Sequence, residues 1–199
     1  MKKLFDVEEV QQEGRSNEWF TPAKYIEAAR AVMGVIDLDP ASCELANRTV
    51  TTKYYTKEDN GLEQPWYGKI WLNPPYGSTN GTSNIGAFTR RLIAEYQDGK
   101  IDQAILLSTT NTSVSWFNLL WDYPICFCDH KVNFDLPVRS KSRFNGKATH
   151  MHGTIFVYLG PNHLRFAEVF SEFGPVIPAG VAVRREQPVQ QPTLWDEEA

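Results

Sequence analysis

An open, mostly parallel α/β sheet with helices on both faces is the fold class predicted for this chain, on three observations. Short apolar or β-branched runs alternate with amphipathic stretches of helical period, at the spacing of βα units. The run Asp102–Thr109, DQAILLST, is almost continuously apolar, as a strand covered on both faces requires. Two other apolar runs stop at Asp39-Pro40 and at Asn73-Pro74-Pro75, where proline ends a ladder and turns the chain. A length of 199 residues suits one well-buried domain with short appendages.

The elements follow in order. Residues 1–16 are polar and without sustained period, a mobile lead-in to a single domain over 17–185. Thr21 stands as N-cap and Pro22 as first residue of a helix running to Met33 and closed by Gly34. Val35–Leu38 is a short strand, Glu44–Asn47 a helical stretch, TTKYYT at 51–56 a strand and KEDNGL at 57–62 a turn. Lys69–Leu72 is the next strand. STNGTSN at 78–84 is a polar loop, and Asn84 caps a helix through Tyr96 that stops at Gly99. After the DQAILLST strand, SVSWFNLLWD at 113–122 is helical. PICFCDHKVNF at 124–134 and GTIFVYL at 153–159 are strands flanking a basic segment. Asn162–Phe173 is a last amphipathic helix, offering Leu164, Phe166, Val169, Phe170 and Phe173 to the core. Residues 186–199, proline-rich and then acidic, read as a disordered tail.

Composition narrows the function classes. No apolar run approaches the roughly 20 residues of a membrane span, and Met1-Lys2-Lys3 precedes acids rather than an apolar signal core, so a cytoplasmic protein is expected. Three irregularly spaced cysteines make no disulfide framework. A net charge of −4 does not announce a nucleic-acid binder, yet a local basic patch can supply one.

KIWLNPPYGS, Lys69–Ser78, ends a strand in an amide, two prolines and an aromatic ring. That combination suits chemistry on an exocyclic amine of a base, whose lone pair is delocalised into the ring. The Asn73 side-chain carbonyl and the next backbone carbonyl, aimed at the two amine hydrogens, would return the lone pair to the nitrogen and point it at an incoming methyl group. Pro74 and Pro75 fix φ near −65° and remove competing amide donors. Tyr76 offers a face on which an extruded base stacks, worth roughly 1–3 kcal/mol. The plainer alternative is a strand terminator with Asn and Tyr beside it by chance.

NEWFTP, IDLDPAS, YYTKEDNGL and IWLNPPYG, in this order and spacing, resemble the phage-type DNA N-6-adenine methyltransferase family over about Asn17–Phe134, and more weakly to Gly160. The resemblance implies a Rossmann-like, S-adenosylmethionine-dependent methyltransferase, bacterial or prophage-encoded. By position it makes Asn73, Pro74, Pro75 and Tyr76 the catalytic set. Trp19, Phe20, Thr21 and Pro22 match the segment beside the methionine end of the cofactor. Asp39, Pro40, Ala41 and Ser42 match the first cofactor motif, and Asp59 an acid near its ribose or adenine. No glycine-rich turn follows Asp39, so DLDPASCELAN also reads as a second motif, whose acid holds ribose hydroxyls. The helix already occupying 22–33 leaves little room for an earlier strand and favours the first reading.

The segment 131–152 carries Lys131, Arg139, Lys141, Arg143 and Lys147 among Phe134 and Phe144. It suits a DNA-contacting loop in which cations track phosphates and aromatics meet bases; a solvated charge run is the alternative. Cys126, Cys128 and His130 alternate along one predicted strand, but the spacing fits no common zinc pattern, and no metal is expected. Gln191–Trp195, QPTLW, is similar to short peptides that dock on bacterial replication sliding clamps. The expected activity is site-specific methylation of adenine N-6 in DNA. N-4 cytosine methylation, protein-glutamine methylation and an idle DNA-binding module are the alternatives.

Overall fold

The computed structural model describes residues 19–135, 147–149 and 153–181. Helix α1 (Ala23–Met33) buries Tyr25, Ile26, Ala29, Val32 and Met33 along one face and ends where Gly34 takes φ 84°, a left-handed value suited to glycine. Pro22 rather than Thr21 is its cap residue, so the helix begins one residue later than predicted and has no side-chain cap.

Next come β1 (Leu38–Asp39), α2 (Glu44–Val50), β2 (Lys53–Tyr54) and β3 (Gly68–Leu72). The predicted 35–38 strand is shifted: only Leu38 and Asp39 join the ladder, and Val35 is half exposed. STNGTSN is a hairpin rather than an irregular loop, with β4 (Ser78–Thr79) and β5 (Thr82–Ser83) paired across Asn80-Gly81. In α3 (Asn84–Gln97) the cap is Ser83, whose hydroxyl accepts from the Gly86 amide, and Asn84 is the first helical residue.

Strand β6 (Ile101–Thr109) precedes a 3₁₀ helix at Ser115–Asp122, within the stretch expected to be helical. The predicted 124–134 strand is two, β7 (Ile125–Phe127) and β8 (Asn133–Asp135), because the chain bends at Asp129 and His130, after the Cys128 and Asp129 amides have bonded the Thr154 and Phe173 carbonyls in continuation of the β7 registers. Strand β8 pairs with β9 (Lys147–Thr149), β10 (Thr154–Leu159) crosses the sheet centre, and α4 (His163–Phe170) stops three residues short of Phe173. Leu164 is 89% exposed, so the core takes Phe166, Phe170 and Phe173 but not Leu164. A further strand, β11 (Val176–Ile177), was not anticipated.

The central sheet has the order β11-β7-β10-β6-β3-β1-β2. Strands β2, β1, β3, β6 and β7 run one way, while β10 and β11 run against them. The result is a largely parallel mixed sheet. Alternation sorts its side chains into two cores. Trp71, Ile105, Leu107, Phe156 and Tyr158 pack with α1 and α4, whereas Ile70, Leu72, Leu106, Ile155 and Val157 pack with α3 and the 3₁₀ helix. Helices therefore cover both faces.

The 57–66 loop is pinned from two sides. Trp66 Nε1 donates to the Gly61 carbonyl at 2.8 Å, and the Arg91 guanidinium donates to the carbonyls of Leu62 and Gln64. Gly61 itself sits against the turn after β1, where a Cβ would lie 1.8 Å from the Pro40 carbonyl oxygen. Gly61→Ala should therefore lower the unfolding free energy by about 1–3 kcal/mol in a urea melt; an unchanged midpoint would mean that the loop yields freely.

Candidate active site

The carboxyl ends of β1 and β3 lie side by side. From β1 the chain passes outward to β2; from β3, on the other side of β1, it passes to β6, so the strand order reverses between β1 and β3. In open α/β sheets such a reversal leaves a crevice beyond the strand ends, the usual ligand site. Asp39 is the last residue of β1, and Asn73 follows the last residue of β3.

Asn73 is held by its amide nitrogen. Nδ2 donates to the Trp19 carbonyl at 2.7 Å and to the Thr21 hydroxyl at 3.3 Å. A carbonyl only accepts, so the amide cannot flip without setting two oxygens against each other. Oδ1 consequently faces away, buried and without a hydrogen-bond partner among the described residues. Pro74 is buried and Pro75 exposed. The Tyr76 ring meets Trp19 edge-on at 6.1 Å, and burial raises its phenol pKa, keeping it neutral.

The segment Trp19–Pro22 is anchored in turn. Phe20 exchanges two backbone hydrogen bonds with Asp135 of β8, at 3.0 and 2.9 Å, and Trp19 also meets the edge of buried Phe134 at 5.7 Å. Thr21 is buried. Sequence reasoning assigned this segment to the cofactor and missed its grip on Asn73; no local pattern carries that signal, because the contact spans more than fifty residues. Phe134 is fully buried, which corrects its assignment as a base contact.

Asp39 is 3% exposed. Burial pushes its carboxyl from 3.8 up to about 7, opposed by the Ala41 amide, which donates to Oδ1 at 3.1 Å, and by nearby Ser42. Ser42 acts from outside good hydrogen-bond geometry, since its Oγ is buried without a partner among the described residues. Ser108 Oγ, one residue before the end of β6, is in the same condition. Three of these orphaned buried atoms thus belong to the carboxyl ends of three neighbouring parallel strands. Buried polar atoms are normally paired, so this edge is shaped for a polar ligand.

Asp59 is exposed, and its Oδ2 accepts from the Thr56 amide and hydroxyl, both at 2.8 Å, which lowers its pKa. It lies two residues before Gly61, which touches Pro40. Lys131 is exposed and joins Lys24, Tyr25, His130 and Asn133 around a depression of about 280 Å³. For Lys147 only the backbone, in β9, is described; Arg139, Lys141, Arg143, Phe144, the 1–16 lead-in and the tail with Gln191–Trp195 lie outside the described residues. Cys126 Sγ is buried against the Phe170 carbonyl, while exposed His130 bonds the Tyr25 hydroxyl through Nε2 at 3.0 Å and Asp129 through Nδ1 at 2.9 Å. No group of three or more metal-ligating side chains occurs among the described residues, and none of their helices is long and apolar enough to cross a membrane.

The Asp39 carboxyl carries a pH signature. Between pH 4 and 7 the native chain keeps a proton that the unfolded chain has lost, so stability falls as pH rises through that window and is flat above it. Asp39→Asn, which keeps the acceptor for Ala41, should stabilise the free protein above pH 7 by on the order of 4 kcal/mol at most and by nothing near pH 4. Thermal melts of both proteins across this range test it; a gain independent of pH would contradict the assignment.

No curated protein and no solved structure matches the chain. A family model does: DNA N-6-adenine-methyltransferase (Dam) matches residues 9–152, well over half of the 199. That span takes in the Trp19–Pro22 segment, the Asp39 turn and the Asn73 corner, and the chain belongs to the Dam family of DNA N-6-adenine methyltransferases.

Proposed function

We propose that the protein methylates the N-6 amine of adenine at specific sites in DNA, using S-adenosylmethionine. One observation carries the reading: the Asn73 amide is locked with Oδ1 buried and unpaired beside the β1–β3 crevice. A carbonyl oxygen in that state lacks a donor, and an exocyclic amine supplies one.

The residues present fit the cofactor. Asp39 is a buried acceptor whose charge is poorly solvated, so it favours a ligand bearing hydroxyl, amine or cationic groups. Ser42 Oγ and Ser108 Oγ lack partners at the same sheet edge, and Trp19–Pro22, Pro40 and Ala41 provide walls. The place of β1 beside β3, at the reversal of strand order, favours Asp39 as the acid of the first cofactor motif. Asp59, on the loop that Gly61 seats against Pro40, is a second acceptor for the cofactor's ribose or adenine. S-adenosylmethionine, when bound, supplies an electrophilic methyl group on sulfonium.

The chain's own groups do the rest. Asn73 Oδ1 would accept one amine hydrogen and the Pro74 carbonyl the other, drawing the nitrogen toward tetrahedral geometry so that its lone pair could take the methyl in line as the methyl–sulfur bond breaks and a neutral thioether leaves. An amide is too weak a base to remove the amine proton beforehand. The proton leaves to solvent after transfer, so the contribution is preorganised electrostatics. Tyr76, neutral at working pH, stacks on the extruded base. Lys131, Arg139, Lys141, Arg143 and Lys147 contact phosphates.

Incubation with methyl-labelled S-adenosylmethionine and DNA, followed by nucleoside analysis, should yield N6-methyladenine; label in cytosine or in protein would overturn the reading. Asn73→Ala should cut transfer by about 10²–10³-fold or more while leaving cofactor affinity within a few-fold. Thr21→Val should lower kcat about 2–10-fold without raising the cofactor Kd, and Thr21→Ser should restore it. A raised Kd with unchanged kcat would instead leave Thr21 a cofactor contact alone, with no part in positioning Asn73.

A further inference from the structure

We infer that the β4–β5 hairpin is the element that reads bases flanking the target adenine; the inference rests on the function proposed above. The hairpin starts two residues after Tyr76, and every residue from Gly77 to Ser83 is exposed. Asn80 and Gly81 take φ 49° and 77°, the paired positive values of a type I′ turn, whose twist matches that of the strands it joins. Ser78 faces Ser83 and Thr79 faces Thr82, which places both threonines on one side of the ribbon and Asn80 at its apex.

Its base is fixed to the active corner. The Asn84 amide donates to the Gly77 carbonyl at 3.1 Å, and Asn84 Nδ2 to the Tyr76 carbonyl at 3.4 Å. Ser83 caps α3, and that helix's first turn is packed so closely on Trp116 that a Cβ on Gly86 would lie 2.7 Å from its ring. The ribbon is therefore mounted on the core and moves with Tyr76.

Chemistry selects its partner. Residues 77–83 carry hydroxyls and an amide but no charge, so they suit base edges rather than phosphates. A two-stranded ribbon fits the major groove of B-DNA, where Asn pairs with adenine N6 and N7, and threonine meets other base edges or a thymine methyl. With Tyr76 stacked on the extruded base, the apex falls on its immediate neighbours in the duplex.

The test is a site profile. Full-length protein is given a randomised duplex library, and methylated adenines are mapped by sequencing for the wild type and for Asn80→Gly, which removes the amide yet keeps a turn that tolerates positive φ. The expected result is a preferred flanking base lost in the variant, with a fall of about 5- to 150-fold on the best site and little change elsewhere. An unchanged profile, or a uniform loss at all sites, would overturn the inference. Thr79→Val with Thr82→Val, which keeps the branched shape and deletes both hydroxyls, should shift the profile at another flanking position and decides the matter if Asn80→Gly is poorly folded; an unchanged profile there overturns it. Failure of the parent reading is distinct: the wild type would then place no methyl on adenine at all.

Discussion

A buried amide satisfied at one end and empty at the other is the constraint on which this molecule turns. The Trp19 carbonyl admits only a donor, so the Asn73 nitrogen must face it and the oxygen must point the other way. Leaving that oxygen without a partner costs about 1–3 kcal/mol, a sizeable part of a small domain's net stability. The orientation persists because the groups imposing it are themselves immobilised: Phe20 through two bonds to Asp135, Thr21 by burial, and Trp19 by ring contacts with Tyr76 and Phe134. Three residues before the first helix thus set the geometry of a residue at the end of the third strand.

The two edges of the sheet obey different rules. At the amino end of β3, Asp37 accepts from the Lys69 amide, and Lys69 Nζ reaches the Met33 carbonyl, so charge and backbone are satisfied together. Gly68 with φ 63° lets the Asp37 carboxylate come close enough to do this. At the carboxyl end, Asn73 Oδ1, Ser42 Oγ and Ser108 Oγ go unpaired among the described residues, and Asp39 holds a carboxyl that burial makes reluctant to ionise. Sheets violate their own pairing rules where something other than stability is selected. The two ends thus differ in kind: pairing is complete where Asp37 meets Lys69, and incomplete among the described residues beyond Asp39 and Asn73.

Much of this architecture was legible because burial imposes periodicity. The continuous apolar runs of β6 and β10 and the amphipathic stripes of α1 and α3 follow from where water is excluded, and the proline punctuation marked Asp39 and Asn73 as strand ends. What escaped were features decided by competing partners. Thr21 has the chemistry of a cap, but Asn73 claims its hydroxyl. The 124–134 run has strand composition throughout, yet the chain bends at Asp129 and His130, and Asn133–Asp135 pairs with β9 in a separate sheet. Leu164 fits the helical period but falls on a turn that α4 leaves facing water. Only the hairpin was within reach: Asn80-Gly81 between β-branched residues is a strong local signal for a type I′ turn, obscured by the polarity of its flanks. Within the site, Asn73 and Asp39 were readable from local motifs, whereas the Trp19 carbonyl and the Ser108 hydroxyl were not, since one is backbone chemistry and the other an absence of partners.

Charge bears on how such a protein chooses its target. The chain carries a net −4, while Lys131, Arg139, Lys141, Arg143 and Lys147 crowd into one segment with a single acid, Asp135, among them. The remainder is correspondingly more acidic and is repelled by a polyanion. Attraction to phosphates is therefore confined to one stretch of the sequence and supplies little of the undirected affinity that holds strongly basic proteins anywhere on a duplex. On the function proposed above, residence at a given adenine then depends on contacts that are met only in one arrangement: a donor for Asn73 Oδ1, a ring for Tyr76, and base edges for the ribbon mounted beside them. Each of these is a short-range, geometrically demanding interaction, and all three hang from the same turn of chain between Leu72 and Asn84.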